Sequence, residues 1–195
     1  MGIRKIKIFL ASSNELALER ERFEREVYRK CKMWIDNEIF LHLDIWEDIS
    51  AKMSKTRSQD EYNKYISECD LFVLLAHTKV GIYSAEEFEE AFGKFKSTDK
   101  PFIFTYFKKS NKVVEPTLDL FKSKLQSLEH FYSSYTDSDN LWNQFNKELD
   151  RLQADEFTIN DWKKREGKKG YAVKNKGANI KNQFIGGSFD NTTFN

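Results

Sequence analysis

Four glutamates fall within the nine residues of segment 83–91, which reads YSAEEFEEA. Apolar side chains recur in and after this segment at helical spacing, at Phe88, Ala91, Phe92 and Phe95. Residues 84–96 are therefore predicted to form a helix that opens with carboxylates. The positive end of the helix dipole lowers the pKa of a carboxyl group in the first turn. An ionised group there suits an electrostatic stabiliser or a nucleophile better than a general acid.

Two apolar runs flank this helix. Residues 71–76 read LFVLLA and residues 102–107 read FIFTYF. Both runs have the length and composition of buried strands, so the unit is predicted to be β-α-β. Because ligands of open parallel sheets bind at the carboxyl ends of the strands, residues 78–84 and the first helical turn are predicted to line a cleft.

Strands and helices alternate along the rest of the chain. Further strands are predicted at 5–10, 39–46 and 130–135, and further helices at 13–34, 58–66, 118–128 and 137–152. This order predicts an α/β, flavodoxin-like fold, with a five-stranded parallel sheet and helices on both faces. The compact domain is predicted to span 1–153, followed over 154–195 by a basic linker and a Gly/Asn-rich tail.

The tail has two interpretations. Its composition is that of a loosely docked segment rather than of a packed domain. Alternatively, its spaced apolar residues form short strands that pair with a partner or with another copy of the chain. These residues are Phe184, Ile185, Phe189 and Phe194.

Composition argues against several classes of partner. With 32 basic and 31 acidic side chains, the 195 residues carry a formal charge of +1, which gives no argument for nucleic acid or an anionic membrane. Cys31 and Cys69 lack the close Cys or His neighbours of a zinc site, so both are expected to be structural thiols. No apolar run approaches the ~20 residues that span a bilayer, and a cytoplasmic location is expected.

The quoted segments, together with the first strand IFLASS, resemble a bacterial TIR (Toll/interleukin-1 receptor) domain over residues 4–152. The resemblance implies a flavodoxin-like fold. It also implies, as in the enzymatic members, cleavage of the nicotinamide glycosidic bond of NAD⁺ by a glutamate within the pattern W-x-x-x-E. That frame places the glutamate at Glu87 and the aromatic residue at Tyr83, where the usual tryptophan is absent. If Ser84 is aligned as the helix cap, Glu90 takes the position instead.

The same helix is similar to that of nucleoside 2-deoxyribosyltransferases, which begins G-T-x-x-E-x-G-x-A. Residues 84–91 fit with Ser for Thr and without the glycine, and Glu87 is again the matching glutamate. Both families use a glutamate beside C1 of a ribose while the N-glycosidic bond breaks. A nucleoside or nucleotide N-glycosidase, or a deoxyribosyltransferase, is therefore an alternative function. Neither resemblance implies a metal or a cofactor, because NAD⁺ would be the substrate.

Other candidate site residues follow the first and second strands. Ser12 and Ser13 stand where TIR enzymes contact the nucleotide, although they could equally form a helix cap. Trp46 could stack on a base or belong to the core. It precedes residues 47–57, the place of the TIR loop that governs self-assembly and access to the site. His77 lies beside the predicted cleft.

Glu87 also has a purely structural interpretation. Ser84 followed by Glu87 has the spacing of a capping box, in which the glutamate accepts a hydrogen bond from the serine backbone. Under that interpretation the chain would be a non-enzymatic TIR signalling adaptor whose loops contact other proteins.

The TIR resemblance also implies partners. Bacterial TIR enzymes commonly serve in antiphage defence, and many are inactive until they oligomerise. The chain is therefore expected to bind NAD⁺, to form a homo-oligomer through TIR–TIR contacts and to work with a defence-system partner protein. Whether the product is linear or cyclic ADP-ribose is left open by the sequence.

Overall fold

The computed structural model describes residues 3–45, 58–109 and 111–155. The chain divides into two compact units, Met1–Glu148 and Leu149–Asn195, and only residues 149–155 of the second are described. Strands are β1 (Arg4–Ser12), β2 (Ile39–Ile45), β3 (Leu71–Ala76), β4 (Phe102–Lys108) and β5 (Ser133–Tyr135). Helices are α1 (Ala17–Trp34), α2 (Ser58–Glu68), α3 (Ile82–Thr98), α4 (Pro116–Ser127) and α5 (Ser138–Asp155), with 3-10 turns at Asn14–Leu16 and Ile35–Asn37.

The strands form one five-stranded sheet in the order β2-β1-β3-β4-β5. Every pair of neighbouring strands is parallel. The chain runs from β1 to β2 on one side and then crosses to β3 on the other side of β1. At such a reversal, open parallel sheets bind ligands in a crevice outside the carboxyl ends of the strands, which here are the ends of β1 and β3. The predicted α/β, flavodoxin-like fold is confirmed.

One face of the sheet packs against α2, α3 and α4. Phe9 of β1 and Phe72 of β3 are paired in register and stack with ring centroids 5.9 Å apart. Phe88 of α3 and Phe121 of α4 pack edge to face above the same layer, at 5.1 Å. Apolar burial on this face therefore anchors the helix that carries the glutamates.

The opposite face packs against α1 and α5. Phe23 of α1 lies 4.9 Å from Phe145 of α5, and Phe145 also meets Phe104 of β4 edge to face at 5.8 Å. Helices thus cover both faces, which is why residues 71–76 of the central strand are all buried. In the described ranges, no helix is long and apolar enough to cross a membrane.

Several predicted boundaries differ from those of the structure by a few residues. The last strand begins at Ser133 rather than at residue 130, and Phe131 is 95% exposed instead of packing in a strand. The helical segment after β1 begins next to Ser13 as predicted, but its first turn, Asn14–Leu16, is 3-10 and the α-helix itself begins at Ala17. Helix α3 begins at Ile82, two residues before the predicted start at residue 84. Helix α5 continues to Asp155, two residues past the predicted domain end at residue 153. The predicted strand end at Trp46 and residues 156–195 of the predicted tail lie outside the described residues.

The stacked Phe9–Phe72 layer predicts where the fold is most sensitive. Replacing the fully buried Phe72 by alanine should lower the free energy of unfolding by about 3–5 kcal/mol, because it removes apolar contacts and leaves a cavity. Leu120→Ala on α4, where the side chain is 71% exposed, should change it by less than about 0.5 kcal/mol. Urea denaturation followed by circular dichroism measures both, and equal losses in the two variants would contradict this packing.

Candidate functional site

Helix α3 begins at the carboxyl end of the central strand. Gly81 is its N-cap, with φ −64° and ψ 151°, and the Gly81 carbonyl accepts the first helical hydrogen bond, from the Ala85 N–H at 3.0 Å. No side chain caps this end of the helix. The capping-box interpretation of Ser84 and Glu87 is therefore wrong, because both residues already lie inside the helix.

The four glutamates of α3 differ sharply in burial. Glu87 is only 7% exposed and lies on the helix face that also buries Ser84, Phe88 and Ala91. The other three, Glu86, Glu89 and Glu90, are exposed. Of the two alignments considered for the glutamate, only the one at Glu87 places the glutamate in a buried position.

The Glu87 carboxyl group has no polar partner among the described residues. No hydrogen bond or ion pair reaches it from the side chains of residues 3–45, 63–109 and 111–155. Burial, and to a smaller extent the negative charge of Glu86, raises the pKa of Glu87 from 4.5 to about 8. In the free protein at neutral pH this carboxyl group is therefore mostly protonated.

This protonation corrects the expectation of an ionised carboxylate. The expectation relied on the helix dipole, whose influence is confined to the first turn. Because α3 begins at Ile82, Glu87 is its sixth residue and lies in the second turn. Desolvation is the largest influence on its pKa at that position.

Tyr83 and Ser84 flank the approach to Glu87 along the helix. Tyr83 lies four residues earlier, on a neighbouring part of the helix surface, and is 67% exposed. Ser84 is buried and lies one turn before Glu87. Tyr83 is therefore free to contact a molecule from solvent, whereas Ser84 is held against the protein.

The two serines at the end of β1 are engaged by α1. The guanidinium of Arg20 donates from Nη1 to Ser12 Oγ at 2.9 Å and to the Ser13 carbonyl at 2.8 Å. Ser13 Oγ donates to Glu15 Oε1 at 3.2 Å, and Ser13 makes no side-chain cap bond to the 3-10 turn. These contacts fix the β1–α1 turn at the carboxyl edge of the sheet.

Glu15 joins this turn to the loop before α3, a role that the sequence did not indicate. Thr78 donates from its backbone N–H to Glu15 Oε1 at 3.1 Å and from Oγ1 to Oε2 at 2.8 Å. His77 Nδ1 lies 3.4 Å from the same Oε2. Burial raises the pKa of Glu15, but the bonds from Thr78 and the charge of His77 outweigh it and leave that pKa below its usual value. The crevice edge is thus built on an ionised carboxylate.

Two further polar residues, Lys108 and Tyr135, lie at the ends of β4 and β5. Lys108, at the end of β4, forms an ion pair with the buried Glu19 of α1. The hydroxyl group of Tyr135 is buried with no hydrogen-bond partner among the described residues, and burial raises its pKa. The ion pair joins β4 to α1, and neither it nor Tyr135 contributes a polar partner to Glu87.

Trp46 and the loop 47–57 lie outside the described residues, so their predicted contribution to the site stays a prediction. In the part of the chain that is described, no cluster of His, Cys, Asp and Glu has the arrangement of a metal site. Cys31 and Cys69 are buried free thiols.

The fold has a counterpart among solved structures. One chain in the crystal structure of the RPS4 and RRS1 TIR domain heterodimer matches with a TM-score of 0.50 and 9% identity, covering 80% of this chain and 100% of that chain. A conserved protein from Enterococcus faecalis V583 matches at a TM-score of 0.41 and 12% identity, over 74% of this chain and 99% of that one. No protein-family model matches the sequence, and neither does any curated protein. The first likeness shows a TIR-like fold.

The raised pKa of Glu87 predicts a pH-dependent stability. Between the unfolded pKa near 4.5 and the folded value of about 8, the folded chain retains a proton that the unfolded chain loses. The free energy of unfolding should therefore fall as pH rises through this window, by roughly 3 kcal/mol between about pH 5 and pH 8. Glu87→Gln, which cannot ionise, should lack this part of the decline.

Urea denaturation at several pH values measures the free energy of unfolding of wild type and variant. The contributions of the other titrating groups cancel in the difference between the two. Glu90→Gln is the matched control, because its exposed carboxyl group should leave the curve parallel to that of the wild type. Parallel curves for wild type and Glu87→Gln would show that Glu87 titrates normally.

Proposed function

We propose that the protein cleaves the N-glycosidic bond between nicotinamide and ribose in NAD⁺, with Glu87 as the catalytic carboxylate. The observation that carries the proposal is a buried carboxyl group without a polar partner, on the helix that follows the central strand of a TIR-like fold. Buried, unpaired ionisable groups beside a crevice are costly to the fold and are typical of functional sites.

The reaction needs a negative charge beside C1′ of the ribose. The C1′–N bond breaks with its electron pair going to nicotinamide, whose ring becomes neutral. Positive charge then develops on C1′ and on the ribose ring oxygen. A carboxylate in a site of low dielectric stabilises that charge strongly or captures C1′ covalently. Addition of water at C1′, with loss of a proton, gives ADP-ribose, whereas attack by an adenine nitrogen of the same molecule gives a cyclised product.

The positive charge of the substrate would provide the electrostatic partner that the Glu87 carboxyl group lacks in the free protein. The nicotinamide ring of NAD⁺ is a cation, and an opposite charge within about 4–6 Å lowers a carboxyl pKa by about 1–3 units. Binding would therefore ionise Glu87, whose pKa is about 8 without a partner. The same positive charge moves to the ribose as the bond breaks, so the carboxylate remains paired through the transition state.

The other predicted site residues take supporting roles in this proposal. Tyr83, exposed one turn before Glu87, lines the entrance and contacts the nicotinamide or ribose. Ser12 and Ser13 present the β1–α1 turn to the nucleotide, with Arg20 holding that turn in place. Trp46 is proposed to stack on a base.

Assembly is part of the proposal. The RPS4 and RRS1 TIR domains form a heterodimer, which supports TIR–TIR contacts as the means of association for this chain. We propose that the chain forms a homo-oligomer that activates cleavage, in the cytoplasm and within an antiphage response with a partner protein. NAD⁺ and that partner are proposed on the resemblance to bacterial TIR enzymes.

The heterodimeric neighbour also favours a second function, that of a TIR adaptor that only binds other TIR domains. In an adaptor, the Glu87 carboxyl group has no substrate to meet, and its replacement by the neutral Gln should leave partner binding and biological effect intact. A nucleoside glycosidase or deoxyribosyltransferase stays a further alternative, with the same carboxylate and a different leaving base.

Turnover by the full chain tests the proposal. Concentrated wild-type protein should release nicotinamide from NAD⁺, and Glu87→Gln should lower the rate at least about 10²-fold, because it removes the stabilising charge. Glu90→Gln, one turn along the same helix and exposed, should retain the wild-type rate. Chromatography of the products measures nicotinamide together with linear or cyclic ADP-ribose.

Wild-type activity that survives in Glu87→Gln and disappears in Glu90→Gln would contradict the assignment of the glutamate. Release of a free base from nucleosides but not from NAD⁺, abolished by Glu87→Gln, would identify the nucleoside alternative. If even concentrated wild-type protein releases no base from NAD⁺ or from nucleosides, the enzymatic proposal is contradicted and the adaptor is favoured.

A further inference from the structure

Strand β4 is only partly covered on its outer side. Strand β5 is three residues long, and its pairing with β4 begins where Tyr106 lies opposite Ser133. On the other side, β3 pairs with β4 from Phe102 onwards. Within the described sheet, residues 102–104 therefore have a strand neighbour on one side only.

The backbone of Ile103 faces this open side. The Phe102 N–H points towards β3, where it donates to the Asp70 carbonyl at 2.9 Å, whereas the Lys109 N–H points towards β5 and donates to Tyr135. Because backbone groups alternate along a strand, Ile103 shares the direction of Lys109. No described residue forms a hydrogen bond to that side of Ile103, which leaves an unpaired strand edge.

An apolar pocket of about 350 Å³ lies against this edge. We call it the β4 edge groove, and its lining consists of Phe92, Phe95, Phe102, Ile103, Phe104, Leu128, Glu129 and His130. Ile103 packs towards the α3–α4 face of the sheet, whereas Phe104 packs towards Phe145 on the opposite face. The groove thus offers apolar walls on both faces of one strand, beside free backbone groups.

This combination fits an extended peptide with two consecutive apolar residues. An added strand pairs through its backbone and points successive side chains to opposite faces of the sheet. One face would receive the first apolar side chain and the other face the second. A small apolar ligand would leave the backbone groups of Ile103 unpaired.

We infer that the β4 edge groove binds the segment 183–185 of a second copy of this chain. Phe184 and Ile185 are consecutive apolar residues in the Gly/Asn-rich tail. Twenty-eight residues separate Asp155, where α5 ends, from Phe184. That length of chain spans at most about 90 Å, enough to reach a neighbouring molecule.

Each copy then offers one groove and one segment. Such a contact is heterologous, so copies join head to tail and the size of the assembly rises with concentration. The contact does not involve Glu87 and does not depend on the proposed glycosidic reaction.

Cross-linking between two full-length variants tests this contact. One variant carries Phe95→Cys in the groove, where the side chain is 37% exposed, and the other carries Gln183→Cys beside the segment. A short bismaleimide should join them into a mixed dimer, well above the background from the buried Cys31 and Cys69 in wild type. Leu120→Cys, 71% exposed on α4 and outside the groove, replaces Phe95→Cys in the control and should give only that background.

Sedimentation velocity gives a second readout that leaves the groove unaltered. The double variant Phe184→Ser, Ile185→Ser should associate at least tenfold more weakly than wild type, and Leu120→Ser should associate as wild type does. Equal cross-linking by Phe95→Cys and Leu120→Cys would overturn the inference. Wild-type protein that stays monomeric at every concentration would also overturn it. A third contradicting result is a chain with both Phe95→Cys and Gln183→Cys that forms only intramolecular cross-links at every protein concentration.

Discussion

The side chain of Glu87 is buried without a positive charge or a hydrogen-bond donor beside it in the described part of the chain, and the candidate site depends on this constraint. A buried ionisable group without a partner is unfavourable, so it takes the form in which burial costs least, the neutral acid. The pKa of about 8 expresses that preference. A cation that enters the site would reverse this preference and favour the ionised carboxylate. The charge of Glu87 would then depend on whether substrate is bound.

Burial of Glu87 follows from how α3 is anchored. Phe88 and Ala91, on the same helix face, are fully buried against the sheet, so the face that carries Glu87 cannot turn towards solvent. The loop before the helix is fixed at both sides: Glu15 binds Thr78, and the Thr78 carbonyl accepts a hydrogen bond from the Glu115 backbone at 2.8 Å. Apolar packing sets the orientation of the helix, and polar contacts at the sheet edge set its starting point.

Local patterns in the sequence were sufficient for the fold, whereas Glu87 was singled out by the resemblance to TIR domains, which left Glu90 open as an alternative. Apolar runs and helical spacing predict the α/β order, because core burial imposes the periods of strands and helices. The burial of Glu87 was not predicted, although in the structure it lies on the same helix face as Ser84, Phe88 and Ala91. The start of α3 at Ile82 was missed because no capping side chain marks it.

Contacts between distant polar residues could not be predicted from the sequence. Glu15 and Thr78 are 63 residues apart, and nothing in their own neighbourhoods indicates that they meet. The raised pKa of Glu87 was missed for a related reason, since it depends on which groups the fold leaves away from the carboxyl group. The last strand was predicted to start three residues too early because HFYSSY looks like a strand throughout, whereas Phe131 is exposed to solvent and β5 starts at Ser133.

Titration of the Glu87 carboxyl carbon by ¹³C NMR, assigned by its loss in Glu87→Gln, tests the central claim most directly. The full chain is titrated alone and with carba-NAD⁺, which carries the nicotinamide cation but has no ribose ring oxygen to support bond cleavage. The pKa of Glu87 should be about 8 in the free protein and should decrease by at least about 1 unit when the cation is bound. A pKa near 4.5 in the free protein, or a value that saturating carba-NAD⁺ leaves unchanged, would contradict the central claim.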